Sequence, residues 1–168
     1  MDTFLTFLTL GILRFFIVPQ GYCRVVTQWG KFLRIAEPGM NFCWFFWGLF
    51  QKPDKEIPLL EQVRDYPDEK VYTKDGVEVL IDSVVYFTVK DPYSALFKVQ
   101  DYEQAIKALV QSILRNECGN LTVRELFAAR AELAKRLQDQ LIHGSAPWGI
   151  DIRLVEIKNL EVMQKRTH

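Results

Sequence analysis

The clearest pattern lies mid-chain. Val77, Val79, Ile81, Val85, Phe87 and Val89 alternate with Glu78, Asp82, Thr88 and Lys90. A period of two predicts a β-strand with one buried face and one more polar face. Leu80, Val84 and Tyr86 interrupt the polar side, so part of it is expected to be covered. Before this strand, Lys74-Asp75-Gly76 reads as a hairpin turn after residues 70–73, because Asp-Gly favours positive φ. Asp91-Pro92 ends the strand, and residues 92–98 are expected to form a short helix.

The period then changes to helical. Asp101, with Gln104 three residues on, reads as an N-cap, and Ile106, Leu109, Val110, Ile113 and Leu114 form a stripe ending near Gly119. Thr122 with Glu125 is a second capping box, opening a helix whose stripe is Leu126, Leu133, Leu137 and Leu141, running to Gly144. Its charged side holds Glu132 and Arg136 at i, i+4. After Trp148-Gly149, residues 150–162 read as a last strand. Ile150, Ile152 and Leu154 share a face, and Val155 and Ile157 break the phase, so a bulge or two-sided burial is expected. Nearer the front, residues 23–29 predict a strand, Gly30-Lys31 a turn, 32–35 a strand folding back, and Glu37-Pro38-Gly39 a further turn. Residues 55–63 read as an edge or bulged strand because of Pro58. Strands, two helices, then a strand predict α+β architecture rather than a βαβ repeat.

The front third departs from this amphipathic patterning. Residues 3–18, TFLTFLTLGILRFFIV, are apolar apart from threonines and Arg14. As a helix they reach about 24 Å, slightly short of the ~30 Å hydrocarbon core. Phe4, Leu5, Phe7, Leu8, Leu10, Ile12, Leu13, Phe15 and Phe16 are the candidate lipid contacts, since apolar residues cover nearly the whole circumference. A buried core helix is the alternative. Arg14 and Arg24 follow the run and only Asp2 precedes it, which places the folded body on the cytoplasmic side of a membrane. The second apolar cluster, MNFCWFFWGLF at 40–50, has six aromatics in eleven residues. A helix there is apolar all round, so core packing, a protein interface or membrane contact must cover it. Phe42, Trp44, Phe45, Phe46, Trp47 and Phe50 are assigned to membrane contact, because tryptophan favours the headgroup zone. Cys43, and secondarily Cys23, are candidate lipidation sites, with a plain buried thiol as the alternative.

Composition removes several classes. The 168 residues suit one domain with a short appendage, and 49% hydrophobic with 25% charged residues is ordinary for a folded chain. The net charge is zero, without the basic excess of a phosphate-driven nucleic-acid binder. Three separated cysteines form no disulfide framework and no CxxC zinc pattern, and two histidines give no proton-transfer centre. His143, before Gly144, reads as a helix-end residue whose imidazole meets terminal carbonyls. None of GxSxG, HExxH, GxxxxGK[ST] or GxGxxG occurs. No catalytic residue, metal or cofactor is therefore expected. Arg115 and Glu117, beside a helix terminus, are candidate intersubunit ion-pair residues, with solvated charge as the alternative.

Four segments in order carry a resemblance: GKFLRIAEPGMNF at 30–42, TKDGVEVLIDSVVYFTVKDP at 73–92, ILRNECGNLTVRELF at 113–127 and WGIDIRLVEIKNLEV at 148–162. Together they resemble the stomatin/prohibitin/flotillin (SPFH, band-7) family, the stomatin branch most, over about residues 15–162. The resemblance implies a membrane anchor at 1–18, an α+β SPFH domain with mixed or antiparallel sheet and packed helices at 19–162, and the start of a tail at 163–168. It also implies a non-enzymatic scaffold that binds membrane lipids, forms homo-oligomers and organises a membrane microdomain, modulating an ion channel or membrane protease. A regulatory subunit of a membrane AAA protease, as in prohibitin-like relatives, is the alternative. Members continue after the closing strand into a long coiled coil, whereas this chain reads Glu161-Val162-Met163-Gln164 and ends at His168.

Overall fold

A computed structural model describes residues 13–44 and 51–163, with side chains over 15–42 and 55–163. It falls into two compact units divided between Leu60 and Glu61. Strands and helices are mixed, as an α+β chain requires.

The first unit is all strand where described. β1 (Leu13–Val18) pairs antiparallel with β4 (Gly39–Trp44). β2 (Tyr22–Gln28) lies between β3 (Lys31–Ala36) and β5 (Gln51–Pro58). Trp29 and Gly30 join β2 to β3 with φ of 54° and 75°. Two successive positive φ values give the turn whose twist matches the flanking strands. Phe16, Val18, Val26 and Ala36 form the small core, with Tyr22 packed against it. Arg24 bonds to Glu56 across the β2–β5 pair and stands 5.8 Å from the Phe16 ring centroid. The expected strand over 55–63 is divided: β5 ends at Pro58 and the next strand begins at Gln62.

The second unit holds the main core. β6 (Gln62–Tyr72), β7 (Glu78–Val89) and β8 (Ile150–Val162) form an antiparallel sheet in the order β6-β7-β8. The alternation read in the sequence becomes one buried face, with Val79, Ile81, Val85 and Phe87 in the core and Ser83 filling the gap. The phase break in β8 is two bulges: register shifts at Tyr86/Phe87 and Asp82/Ser83 leave Arg153 and Lys158 outside the ladder. Each adds one residue, so the buried positions run Ile150, Ile152, Val155, Ile157, Leu160.

Four helices follow β7 before β8: α1 (Pro92–Phe97), α2 (Tyr102–Gly119), α3 (Val123–Ala128) and α4 (Arg130–Ser145). Asp91 and Asp101 cap α1 and α2 with their carboxylates. Thr122 and Glu125 form the expected capping box on α3. The single helix expected from Thr122 to Gly144 is broken at Ala129, whose φ and ψ of −101° and 21° leave the helical region. There Arg130 turns its guanidinium to the carbonyls of Ile157 and Lys158 in β8, a tertiary contact with no local sequence signal. Ile106, Val110 and Leu114 of α2 and Leu133, Leu137 and Leu141 of α4 pack into the core. Gly149 (φ 72°) lets β8 start hard against Asp91, since a Cβ there lies 2.7 Å from the Asp91 carbonyl oxygen. Its own carbonyl accepts from the Lys90 and Asp91 amides.

The membrane-anchor expectation is corrected over its described part. Residues 13–18 are strand β1, and among the described residues no helix is long and apolar enough to cross a membrane. The physical reason is pairing: Leu13 to Val18 find backbone partners along β4, which a lone apolar helix does not need. For the same reason residues 40–44 are strand rather than helix.

Candidate functional site

The β1–β4 pair has two unlike faces. In an antiparallel ladder, directly opposed residues share a face. Phe15 lies opposite Phe42, and Ile17 opposite Met40. These four apolar residues therefore occupy one face, and the intervening Phe16 and Val18 occupy the other, which closes on Val26 and Ala36. Ile17 is 71% exposed, Met40 76% and Phe42 56%, while Phe16 is 7% exposed. Arg34 holds the β4 strand beside this face. Its guanidinium donates to the Phe42 carbonyl at 3.0 Å and to Asn41 Oδ1 at 3.2 Å. Asn41 in turn donates to the Glu37 carbonyl at 2.8 Å, fixing the turn into β4.

This placement sorts the residues assigned to lipid from the sequence. Phe42 stands exposed on the apolar face and Phe15 half-buried on it. Phe16 is corrected: it is a core residue, because alternation sends it to the opposite side from Phe15. Leu13, Cys43 and Trp44 belong to β1 and β4 by backbone, and their side chains lie outside the described residues. Phe4, Leu5, Phe7, Leu8, Leu10 and Ile12, with Phe45, Phe46, Trp47 and Phe50, also lie outside them. Ile17 and Met40 were not singled out by the sequence reading, though they are the most exposed members of the face. LRFFIV is apolar at nearly every position, so it carries no period to betray which residues face outward.

The other candidates separate as clearly. Cys23 is buried in β2, and burial pushes its thiol up to about 11. A thiol that is both shielded and protonated is a poor acyl acceptor. Glu117 is engaged within its own chain, by Arg136 at 3.5 Å and Gln140 at 2.6 Å, while Arg115 is exposed. His143 places Nδ1 2.7 Å from the Asp139 carbonyl oxygen in the last turn of α4. Among the described residues no group of three His, Cys, Asp or Glu is placed to hold a metal. The second unit carries a groove of about 740 Å³ between α4 and β8, lined by Ala131, Ala134, Val155 and Ile157 with Arg130 on its wall.

The second unit is thus an antiparallel, bulged sheet backed by capped helices, and the first holds short strands with an apolar outer face. The family described as SPFH domain / Band 7 matches residues 16–166, and the chain belongs to that family. Within it, the chain is similar to stomatin-like proteins. It is 34% identical to Stomatin-like protein stl-1 of Caenorhabditis elegans over 152 residues, 88% of this chain and 45% of the relative. It is 32% identical to human Stomatin-like protein 2, mitochondrial, over 86% of this chain and 40% of the relative. It is 35% identical to Stomatin homolog PH1511 of Pyrococcus horikoshii, over 89% of this chain and 56% of the relative. The chain thus spans about half the length of the curated relatives it matches.

Proposed function

We propose that this chain is a membrane-associated scaffold that seats on a bilayer through the outer face of β1–β4 and organises a membrane patch by assembling with copies of itself. Membership of the SPFH family supports a membrane-associated scaffold role in general terms. The observation that carries the lipid contact is the exposed row of Ile17, Met40 and Phe42 on one strand face. Water-facing apolar groups in a contiguous row mark a surface that something else covers. A lipid surface fits because the sequence continues from β4 into Phe45-Phe46-Trp47, aromatic residues of the kind that favour the headgroup zone. The scaffold acts without catalysis, gathering membrane proteins such as a channel or protease, with the folded body on the cytoplasmic side.

The test is co-sedimentation with phosphatidylcholine/phosphatidylserine vesicles. Each apolar side chain transferred out of water is worth roughly 1.5–3 kcal/mol. Replacing Ile17, Met40 and Phe42 together with Ser should therefore lower vesicle partitioning by well over tenfold, since about 1.4 kcal/mol is a factor of ten. Their exposure keeps the change out of the core. A triple variant that sediments like the parent sinks the lipid-contact reading.

A further inference from the structure

The β6-β7-β8 sheet has β6 and β8 as its edge strands, and the two edges are built differently. On β8 the edge carbonyls are occupied by side chains: Arg130 donates to Ile157 and Lys158, and Gln138 donates to Arg153 at 2.9 Å. Strand addition is blocked there. What remains beside that edge is the groove of about 740 Å³, with small alanines of α3 and α4 on one side and Val155 and Ile157 on the other. The Arg130 guanidinium on its wall meets carbonyls only and has no carboxylate partner among the described residues. Lys158, on the same wall, is paired with Asp65 at 2.6 Å, and Glu156 supplies the opposing charge.

The β6 edge carries the complementary shape and charge. Its register shifts between Tyr66 and Glu69, so Pro67 and Asp68 project from the ladder as a bulge. Both are exposed. Asp68 is held at φ 52°, its amide donating to Asp82 Oδ1 at 2.7 Å. That anchor leaves the Asp68 carboxylate without a cation among the described residues. The surrounding stretch, residues 61–70, is acidic on balance: Glu61, Asp65, Asp68 and Glu69 stand against Arg64 and Lys70. Arg64 is itself taken by Glu103, at 2.7 and 3.0 Å.

We propose that a second copy of this chain inserts its Pro67–Asp68 bulge into the α4–β8 groove of the first, with the Asp68 carboxylate on the Arg130 guanidinium and Pro67 against the alanines. The inference deepens the self-assembly reading above, and rests on it. Charge complementarity selects a like copy: Asp68 on the bulge and Arg130 in the groove, neither with an ion-pair partner among the described residues, sit on opposite edges of one sheet. A contact between two different surfaces repeats head to tail, giving a closed ring or an open run of copies.

The experiment is a charge swap on the full chain in mild detergent, read by mass photometry. Asp68→Lys and Arg130→Glu should each weaken self-association roughly tenfold or more, because each brings like charges together. The double variant, and an equal mixture of the two single variants, should recover assembly, since both restore opposite charges at every contact. Asp68→Asn tolerates the left-handed backbone and should give an intermediate loss. If Arg130→Glu disturbs folding by circular dichroism, the two Asp68 variants carry the test, because that residue lies on an exposed bulge. Parent-like assembly of Asp68→Lys overturns this interface and leaves self-assembly standing. A parent chain that is monomeric in both detergent and lipid overturns both.

Discussion

The two units use hydrophobic residues in opposite ways. In the second unit, alternating strand positions and helical stripes converge on one core that includes Phe87, Leu114, Leu126, Leu137 and Leu141. In the first, the described residues form a small cluster of Phe16, Val18, Val26 and Ala36, with Cys23, Val25 and Ile57 also buried, and apolar side chains of the same kind stand outside on β1 and β4. Charge divides along the same line. Residues 1–60 hold six basic and four acidic groups, and residues 61–168 hold fifteen and seventeen. The second unit is held by one large core, while the first sets a row of exposed apolar residues on β1 and β4 beside a slight basic excess. The difference teaches that hydrophobicity alone does not locate a core; pairing register does.

The same substitution in both units gives the largest effect and the sharpest comparison. Phe87→Ala, in a fully buried site, should cost about 3–5 kcal/mol by urea denaturation. Phe16→Ala should cost about 2 kcal/mol, because its shallow core closes more readily around a void. Hydrogen exchange should confine that loss to the first unit, leaving β7 amides protected. Equal costs, or loss of β7 protection in Phe16→Ala, break the contrast between a deep core and a thin one.

Helix caps come next. Thr122→Ala removes a capping box and should cost about 1 kcal/mol in the second unit alone. Asp91 tests the same economy of local bonds through pH. Its hydrogen bond from Ser94 Oγ, at 2.6 Å, holds its carboxyl below the ordinary carboxylate value. A depressed folded-state value favours the ionised form, so this contribution is complete above the unfolded-state value and fades as pH falls through the folded-state value. The stability gap between the parent and Asp91→Ala should therefore be about 1 kcal/mol at neutral pH and shrink in acid, measured by thermal melts. A gap that widens in acid contradicts the assignment. The smallest effect belongs to the solvent-facing Glu132–Arg136 pair, 2.6 Å apart one turn along α4. Glu132→Gln should change stability by less than about 0.5 kcal/mol, and high salt should erase even that.

Much of the second unit was legible in the chain. The β7 alternation, the Asp101 and Thr122 caps, the leucine stripe of α4 and the phase break in β8 all follow from local periods and side-chain-to-backbone bonds. The break at Ala129 was not, because Arg130 answers to carbonyls 27 and 28 residues away. In the first unit the turns at Gly30 and Gly39 were readable, and the strand character of residues 13–18 and 40–44 was not. A run that is apolar at nearly every position fits a helix and a strand equally well.

The sequence by itself determined the periods, the caps, the turns and the zero net charge, since each depends on residues within a few positions of one another. Tertiary structure decided which apolar residues are core and which are surface. A one-residue change of register exchanges the two faces of a strand. Only the pairing of Phe15 with Phe42 and Ile17 with Met40 turns Phe16 inward and leaves its neighbours to the outside.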